Sequence, residues 1–216
     1  MTGLCLLTTA TGALDATSFL DLGRTFTANM TGNVLLLAFS LTGTSLGGGS
    51  SSWGFAVALV AFLLGALLGA VLAGRRGRAA RLPAALVTEV ALVAAGLVLT
   101  GTGSIQVTWR QYSVVVLLAL AMGVQNAMAR RMSITEANTT VLTTSLGSLA
   151  ADMVAVAGRP PRAGRRVATV ACIFLGAVAG AALQHHSATW ALTLAIALIA
   201  TSAGALGRAG WPAPVD

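Results

Sequence analysis

The chain contains no lysine, two histidines, two cysteines and six acidic residues among 216. Each shortage excludes something. Without lysine there is no G-x-x-x-x-G-K-[ST] loop to cradle nucleotide phosphates, so this chain alone cannot drive primary active transport. His185 and His186 are neighbours with no third ligand nearby, which makes a poor metal site. No His–carboxylate cluster lies within one segment and no G-x-S-x-G occurs, so a membrane enzyme is disfavoured. Cys5 and Cys172 both fall in apolar segments and read as structural thiols, not as a disulfide or a metal pair. No metal and no cofactor are expected. Only 9% of residues are charged, against roughly 25% in a soluble domain.

What is present is apolar. The chain is 56% hydrophobic, with a mean hydropathy of +0.85. That composition belongs to an all-α polytopic membrane protein whose first partner is the lipid bilayer. All 13 basic residues are Arg, and they cluster at the ends of apolar runs. The net charge of +7 therefore reads as membrane-flanking charge and not as a nucleic-acid surface. The apolar runs are too long and uniform for the alternating pattern of a membrane barrel. Met1–Leu4 carries no basic stretch, so a cleavable signal peptide is not expected. With no long polar stretch, residues 1–216 read as one membrane domain.

Eight apolar segments can be marked: Leu4–Leu20, Val34–Thr42, Gly54–Gly74, Pro83–Thr100, Tyr112–Ala129, Thr139–Ala157, Val167–Leu183 and Ala188–Leu206. They contain an internal repeat. Gly12-Ala-Leu-Asp15 matches Gly123-Val-Gln-Asn126, 111 residues on. Gly65-Ala-Leu-Leu-Gly69 matches Gly176-Ala-Val-Ala-Gly180 at the same offset. Ala28-Asn29-Met30-Thr31 matches Ala137-Asn138-Thr139-Thr140 at 109. The halves are residues 1–103 and 112–208.

Arginine placement decides how the halves are oriented. If all eight segments cross, the Arg residues divide seven to six, against the positive-inside bias. If the second segment of each half is a re-entrant half-helix, each half crosses three times and the halves are inverted. Eleven Arg then share one side, leaving Arg24 and Arg110 opposite. The expected fold is six full crossings plus two broken segments in two inverted repeats, with both termini cytoplasmic. Trp53, Trp109 and Trp190 then fall at the external interface as an aromatic belt.

The stretch Thr25–Leu37, TFTANMTGNVLLL, organises the rest. Its first half has no apolar period, and its second half opens an apolar run about half as long as a crossing needs. Asn and Thr before an apolar run mark a helix start. Together, TGALDATSFLDLGRTFTANMTGNVLLL and AMGVQNAMARRMSITEANTTVLTTSLGSLAAD resemble the YoaK-like family of bacterial inner-membrane proteins, a domain of unknown function. The resemblance covers nearly the whole chain, and TANMTGN is its most specific part. It implies an integral membrane protein of the bacterial inner membrane and supplies no substrate.

Broken helices in inverted repeats point unpaired N–H groups into a shared midplane cavity. One start carries Asn29, Thr31, Gly32 and Asn33; the other carries Asn138, Thr139 and Thr140. These residues, with Asn126, are the candidate site for a polar or anionic small molecule. The alternative is that they only cap two helix ends. Gly32 would let a ligand approach the backbone closely. Asp15, inside an apolar run and matched by neutral Asn126, is the candidate for proton or ion coupling. It can instead bond to the re-entrant start or pair with Arg24. Glu89 is expected to reach the cytoplasmic interface and meet Arg81, and Asp152 to pair with Arg159 or Arg162. The Gly65/Gly69 and Gly176/Gly180 pairs are expected to pack the halves together, with a homodimer face as the rival. The expected function is a small secondary transporter or permease, with a non-transporting assembly protein as the alternative.

Overall fold

Why a chain this apolar folds at all is answered by small residues. Lipid tails are as apolar as leucine, so helices in a bilayer associate by close packing and hydrogen bonds and not by hydrophobic burial. The computed structural model describes residues 2–44, 51–72, 81–102, 108–131 and 162–209. Among these are seven helices and no strand: α1 (Thr2–Asp21), α2 (Met30–Leu41), α3 (Ser52–Leu72), α4 (Arg81–Gly101), α5 (Thr108–Arg131), α6 (Arg162–Gln184) and α7 (Ala188–Ala209). Six are long and apolar enough to cross a membrane. The exception is α2, with 12 residues, about 18 Å at 1.5 Å per residue. The expected second half-helix, Thr139–Ala157, lies outside the described residues, as do Asn138 and Asp152.

The helices pack where glycine lets backbones touch. A Cβ on Gly12 would overlap the Ile173 carbonyl of α6 and crowd Ala177. A Cβ on Gly123 would overlap the Phe62 carbonyl of α3 and crowd Ala66. Gly65 faces Leu120 of α5 and Gly176 faces Thr9 of α1. Gly69 meets Val124 and Gly180 meets Ala13. Every one of these contacts recurs when the glycine's number rises by 111 and its partner's falls by 111: 12 with 173 and 123 with 62, 65 with 120 and 176 with 9. The first helix of the chain thus packs on α6, and α5 packs on α3. The glycine pairs are used inside one chain.

These contacts also fix directions. Thr9 meets Gly176 and Ala13 meets Gly180, so α1 and α6 run parallel. By the same logic Leu120 with Gly65 and Val124 with Gly69 make α3 and α5 parallel. Gly3 at the start of α1 meets Leu206 near the end of α7, and Gly101 at the end of α4 approaches Thr189 at the start of α7. Since both pairs pack side by side, α7 is antiparallel to α1 and to α4. Gly96 against Val114 and Leu118 makes α4 antiparallel to α5. It follows that α1 and α3 run in opposite directions, although α2 stands between them in sequence. Trp53, Trp109 and Trp190 begin α3, α5 and α7, which share one direction, so the three exposed indoles ring one end of the bundle.

The most buried spanning helix is α5, whose central stretch is two-thirds buried inside the protein, whereas only about a tenth of α6 is. The core lies where α1, α4, α5 and α7 meet, around Leu14, Leu86, Leu118, Met122, Leu192 and Ile199.

Candidate functional site

The chain reverses sharply after α1. Leu22 closes the helix through its N–H to the Ser18 carbonyl, and Gly23 (φ 75°) and Arg24 (φ 57°) follow in the left-handed region. A glycine there is the usual helix stop; an arginine there is uncommon. The segment 25–29 then runs back alongside α1 and is tied to it. The Ser18 hydroxyl donates to the Thr25 carbonyl. Phe26 stacks on Phe19 with ring centres 4.8 Å apart, and the Arg24 guanidinium lies over the Phe19 ring.

Asp15 is the anchor of this segment. Its Oδ1 accepts the Thr27 N–H (2.8 Å), the Thr27 hydroxyl (3.0 Å) and the Ala28 N–H (2.7 Å). Its Oδ2 accepts the Asn29 N–H at 3.0 Å. The carboxylate therefore occupies the cradle of backbone donors just ahead of α2. Asn29 is the N-cap, its Oδ1 accepting the Gly32 N–H at 3.2 Å. Asn33, fully buried, clasps the Phe26 peptide from both sides: Oδ1 accepts its N–H (2.9 Å) and Nδ2 donates to its carbonyl (2.7 Å). At its other end α2 stops on Thr42 and left-handed Gly43 (φ 77°), with the Thr44 N–H bonded to the Phe39 carbonyl and the Gly43 N–H to that of Ser40. This is the Schellman pattern, and it marks α2 as a helix that ends where its sequence ends it.

The expected helix start is thus present, with Asn29, Thr31, Gly32 and Asn33 brought together by α2. Of the hydrogen-bonding alternatives for Asp15, bonding to the start of the short helix is the one realised; Arg24 turns to Phe19 instead. The expected open space over Gly32 is a correction. A Cβ there would stand 2.8 and 2.9 Å from Phe26 ring carbons, so aromatic packing, not ligand access, requires this glycine. Among the described residues the side-chain donors left over at this tip are half-buried Asn29 Nδ2 and the exposed Thr31 hydroxyl, neither of which enters a hydrogen bond.

On α5, Asn126 accepts a hydrogen bond from Arg130 Nε at 2.9 Å. Thr139 and Thr140, like Asn138, lie outside the described residues. Two residues the sequence did not single out join α1 to α5: the Thr11 hydroxyl donates to Gln125 Oε1 at 3.0 Å, and Gln125 Nε2 reaches the Leu7 carbonyl at 3.4 Å. The available signal was a polar residue at an interior position of an apolar run. Glu89 corrects another expectation. It is 0% exposed and neither carboxyl oxygen has a hydrogen-bond partner, so it neither reaches the interface nor meets Arg81.

Six apolar helices of spanning length, with one short, capped helix beside them, define a multi-pass helical membrane protein. The chain belongs to the family described as "Protein of unknown function (DUF1275)", whose model matches residues 3–205. It is similar to the "UPF0700 transmembrane protein YoaK" of Bacillus subtilis (strain 168), with 31% identity over 151 residues, 69% of this chain. The match spans 65% of that relative, a little under two thirds of its length. No solved structure matches the chain. The family inferred from the TANMTGN stretch is therefore the correct one.

Proposed function

We propose that this chain is a small secondary transporter or permease of the bacterial inner membrane for a polar or anionic small molecule. The observation that carries the reading is a polar helix start held deep beside a spanning helix. Asp15 lies six residues before the end of α1, about 9 Å at the rise of a helix, and the start of α2 is tied to it. Irregular backbone at such depth is tolerated only where protein or water covers it. A chain whose remaining described helices all have spanning length keeps such a feature for a ligand. The side-chain donors of Asn29 and Thr31 are left without a partner there, and the sequence repeat matches this stretch to Asn138, Thr139 and Thr140, with Asn126 as the mate of Asp15.

Two inverted repeats are the architecture that suits this reading. The recurrence of glycine contacts at 111 residues supports a duplication. The opposite directions of α1 and α3 support a second segment that returns without crossing. Eleven Arg against two supports cytoplasmic termini.

A non-transporting assembly protein is the second reading, and one observation favours it: Asp15 already fills the N–H cradle that an anion would use. Proteoliposomes separate the two. Labelled metabolites should accumulate inside vesicles holding the protein, and accumulation should change when a pH gradient is imposed. If no solute in an anion and metabolite panel accumulates, and none raises the melting temperature of the detergent-solubilised protein, the assembly reading replaces transport.

A further inference from the structure

Glu89 lies six residues past Pro83, about 9 Å into α4, the third of the spanning helices. It belongs to the buried stripe of α4 formed by Ala85, Leu86, Glu89, Val93, Gly96 and Thr100. The bundle closes over it completely and offers it no hydrogen bond. Removing a carboxylate from water without a partner costs several kcal/mol, and ionisable residues inside membranes commonly mark ion or proton routes.

Among the described residues the neighbours of α4 supply no countercharge. It packs against α5, α7 and, more lightly, α3. No charged residue occurs in α3. Gly96 lies level with Val114 and Leu118 of antiparallel α5, so Glu89 lies level with the stretch from Ala121 to Gln125. The charged and titratable groups of α5, Arg110, Tyr112, Arg130 and Arg131, stand toward its two ends. From the approach of Gly101 to Thr189, Glu89 lies level with Thr201 and Ser202 of α7. The one charge of α7, Arg208, is six residues past Ser202, about 9 Å further along. A bound metal would need several oxygen ligands, and no group of three His, Cys, Asp or Glu able to hold one occurs among the described residues. A proton needs only the carboxyl itself.

We propose that Glu89 is the proton-binding site of this bundle. It holds a proton on one carboxyl oxygen in the closed arrangement and gives it to water when α4 parts from α5 or α7. Water on the other side returns a proton, and no bond but O–H forms or breaks. The same buried pattern recurs in α7 as Ala191, Leu192, Ala195, Ile199, Ser202 and Leu206, 106 residues on. It places Ala195 where α4 has Glu89. The acid of α4 thus has no counterpart at the matching position of α7. Coupling of that proton to a solute rests on the transporter reading above; proton binding by Glu89 does not.

Infrared difference spectroscopy on the purified native protein tests it. A carbonyl stretch of a protonated carboxyl group should be present, should shift slowly in deuterated water because the site is closed, and should be lost in Glu89→Gln. It should persist in Asp15→Asn. If Glu89→Gln does not fold, Glu89→Asp replaces it, and the band should survive at a shifted frequency. A native protein without the band, a band that exchanges at once, a band that persists unchanged in Glu89→Gln, or one unshifted in Glu89→Asp overturns the assignment. An intact band in a protein that moves no solute leaves Glu89 as the proton site and removes only the transporter reading.

Discussion

The Asp15 carboxylate accepts the backbone N–H of Ala28, 13 residues on, at 2.7 Å. That bond joins a spanning helix to the start of one that is too short to span. It is one of four to the same side chain, and three of the donors are backbone. Such donors have nowhere else to go in an apolar setting, so the side chain serves as a latch for a segment that would otherwise be costly to bury.

Asp15→Asn keeps the shape and breaks the latch. An amide presents one acceptor oxygen and one donor nitrogen, and the nitrogen would face either the Asn29 N–H or the donors of Thr27 and Ala28. Hydrogen bonds to a charged group contribute about 1.5–3 kcal/mol each. The variant should lose about 3 kcal/mol, read as a fall in melting temperature in detergent, with Asp15→Ala falling at least as far. An unchanged melting temperature would mean that the tip of α2 stands without Asp15.

Gly32→Val should damage packing before it touches any ligand. The new side chain must displace the Phe26 ring, and overpacking of this kind costs about 1–3 kcal/mol. Phe26→Ala in the same chain should recover part of the loss, because the ring is what the side chain meets. A double-mutant cycle measures the coupling. Additive effects would show that the ring is not the obstacle.

Much of this architecture was legible in sequence. The spans, the short helix and Asn29 as its cap follow from composition and from the chemistry of helix starts, which are local. The repeated glycines were legible as packing residues, because close approach leaves a mark in residue size. The partners were not. That Gly12 seeks Ile173 while Gly123 seeks Phe62 depends on how the halves interlock, and spacing along one helix carries no such information. Glu89 was misread for the same reason. Nearness to Pro83 suggested the interface, but the face of α4 that holds Glu89 is the one α5 and α7 cover. Phe26 over Gly32 was likewise invisible, since a tight turn brings together residues whose spacing follows no helical or strand period.

The glycine contacts make a paired prediction. Gly65→Ala would drive a Cβ into the Leu120 backbone, and Gly176→Ala into that of Thr9. Both should destabilise by about 1–3 kcal/mol or more, and by similar amounts. Gly204→Ala, with nothing within 4 Å of its added Cβ, should instead be neutral or stabilising by about 0.5–1 kcal/mol. Thermal denaturation of the three variants decides this, and a tolerated Gly65→Ala would remove the close packing of α3 on α5.

Topology can be read with thiols in a background lacking Cys5 and Cys172. A cysteine at Trp53, at the start of α3, should label from outside. One at exposed Gly164, at the start of α6, should label only after the membrane is opened. External labelling at both would mean that the directions assigned to α3 and α6 do not place their starts on opposite sides.

The last prediction separates recognition from folding at the tip of α2. Asn29 has two ends: its oxygen caps the helix, and its Nδ2 is left without a hydrogen bond. Asn29→Ala should therefore cost about 0.5–2 kcal/mol of stability and also lower uptake. Thr31 is exposed and makes no hydrogen bond within the described residues, so its hydroxyl contributes nothing to the latch. Thr31→Val preserves the branched shape, and surface changes away from special features stay within about 0.5 kcal/mol. Under the transporter reading Thr31→Val should melt with the native protein and still bind solute more weakly. The measurement is solute affinity in detergent beside a melting curve for each variant. Full affinity in both Thr31→Val and Asn29→Ala would leave the tip of α2 as a capped helix end, and the solute site would then lie elsewhere in the bundle.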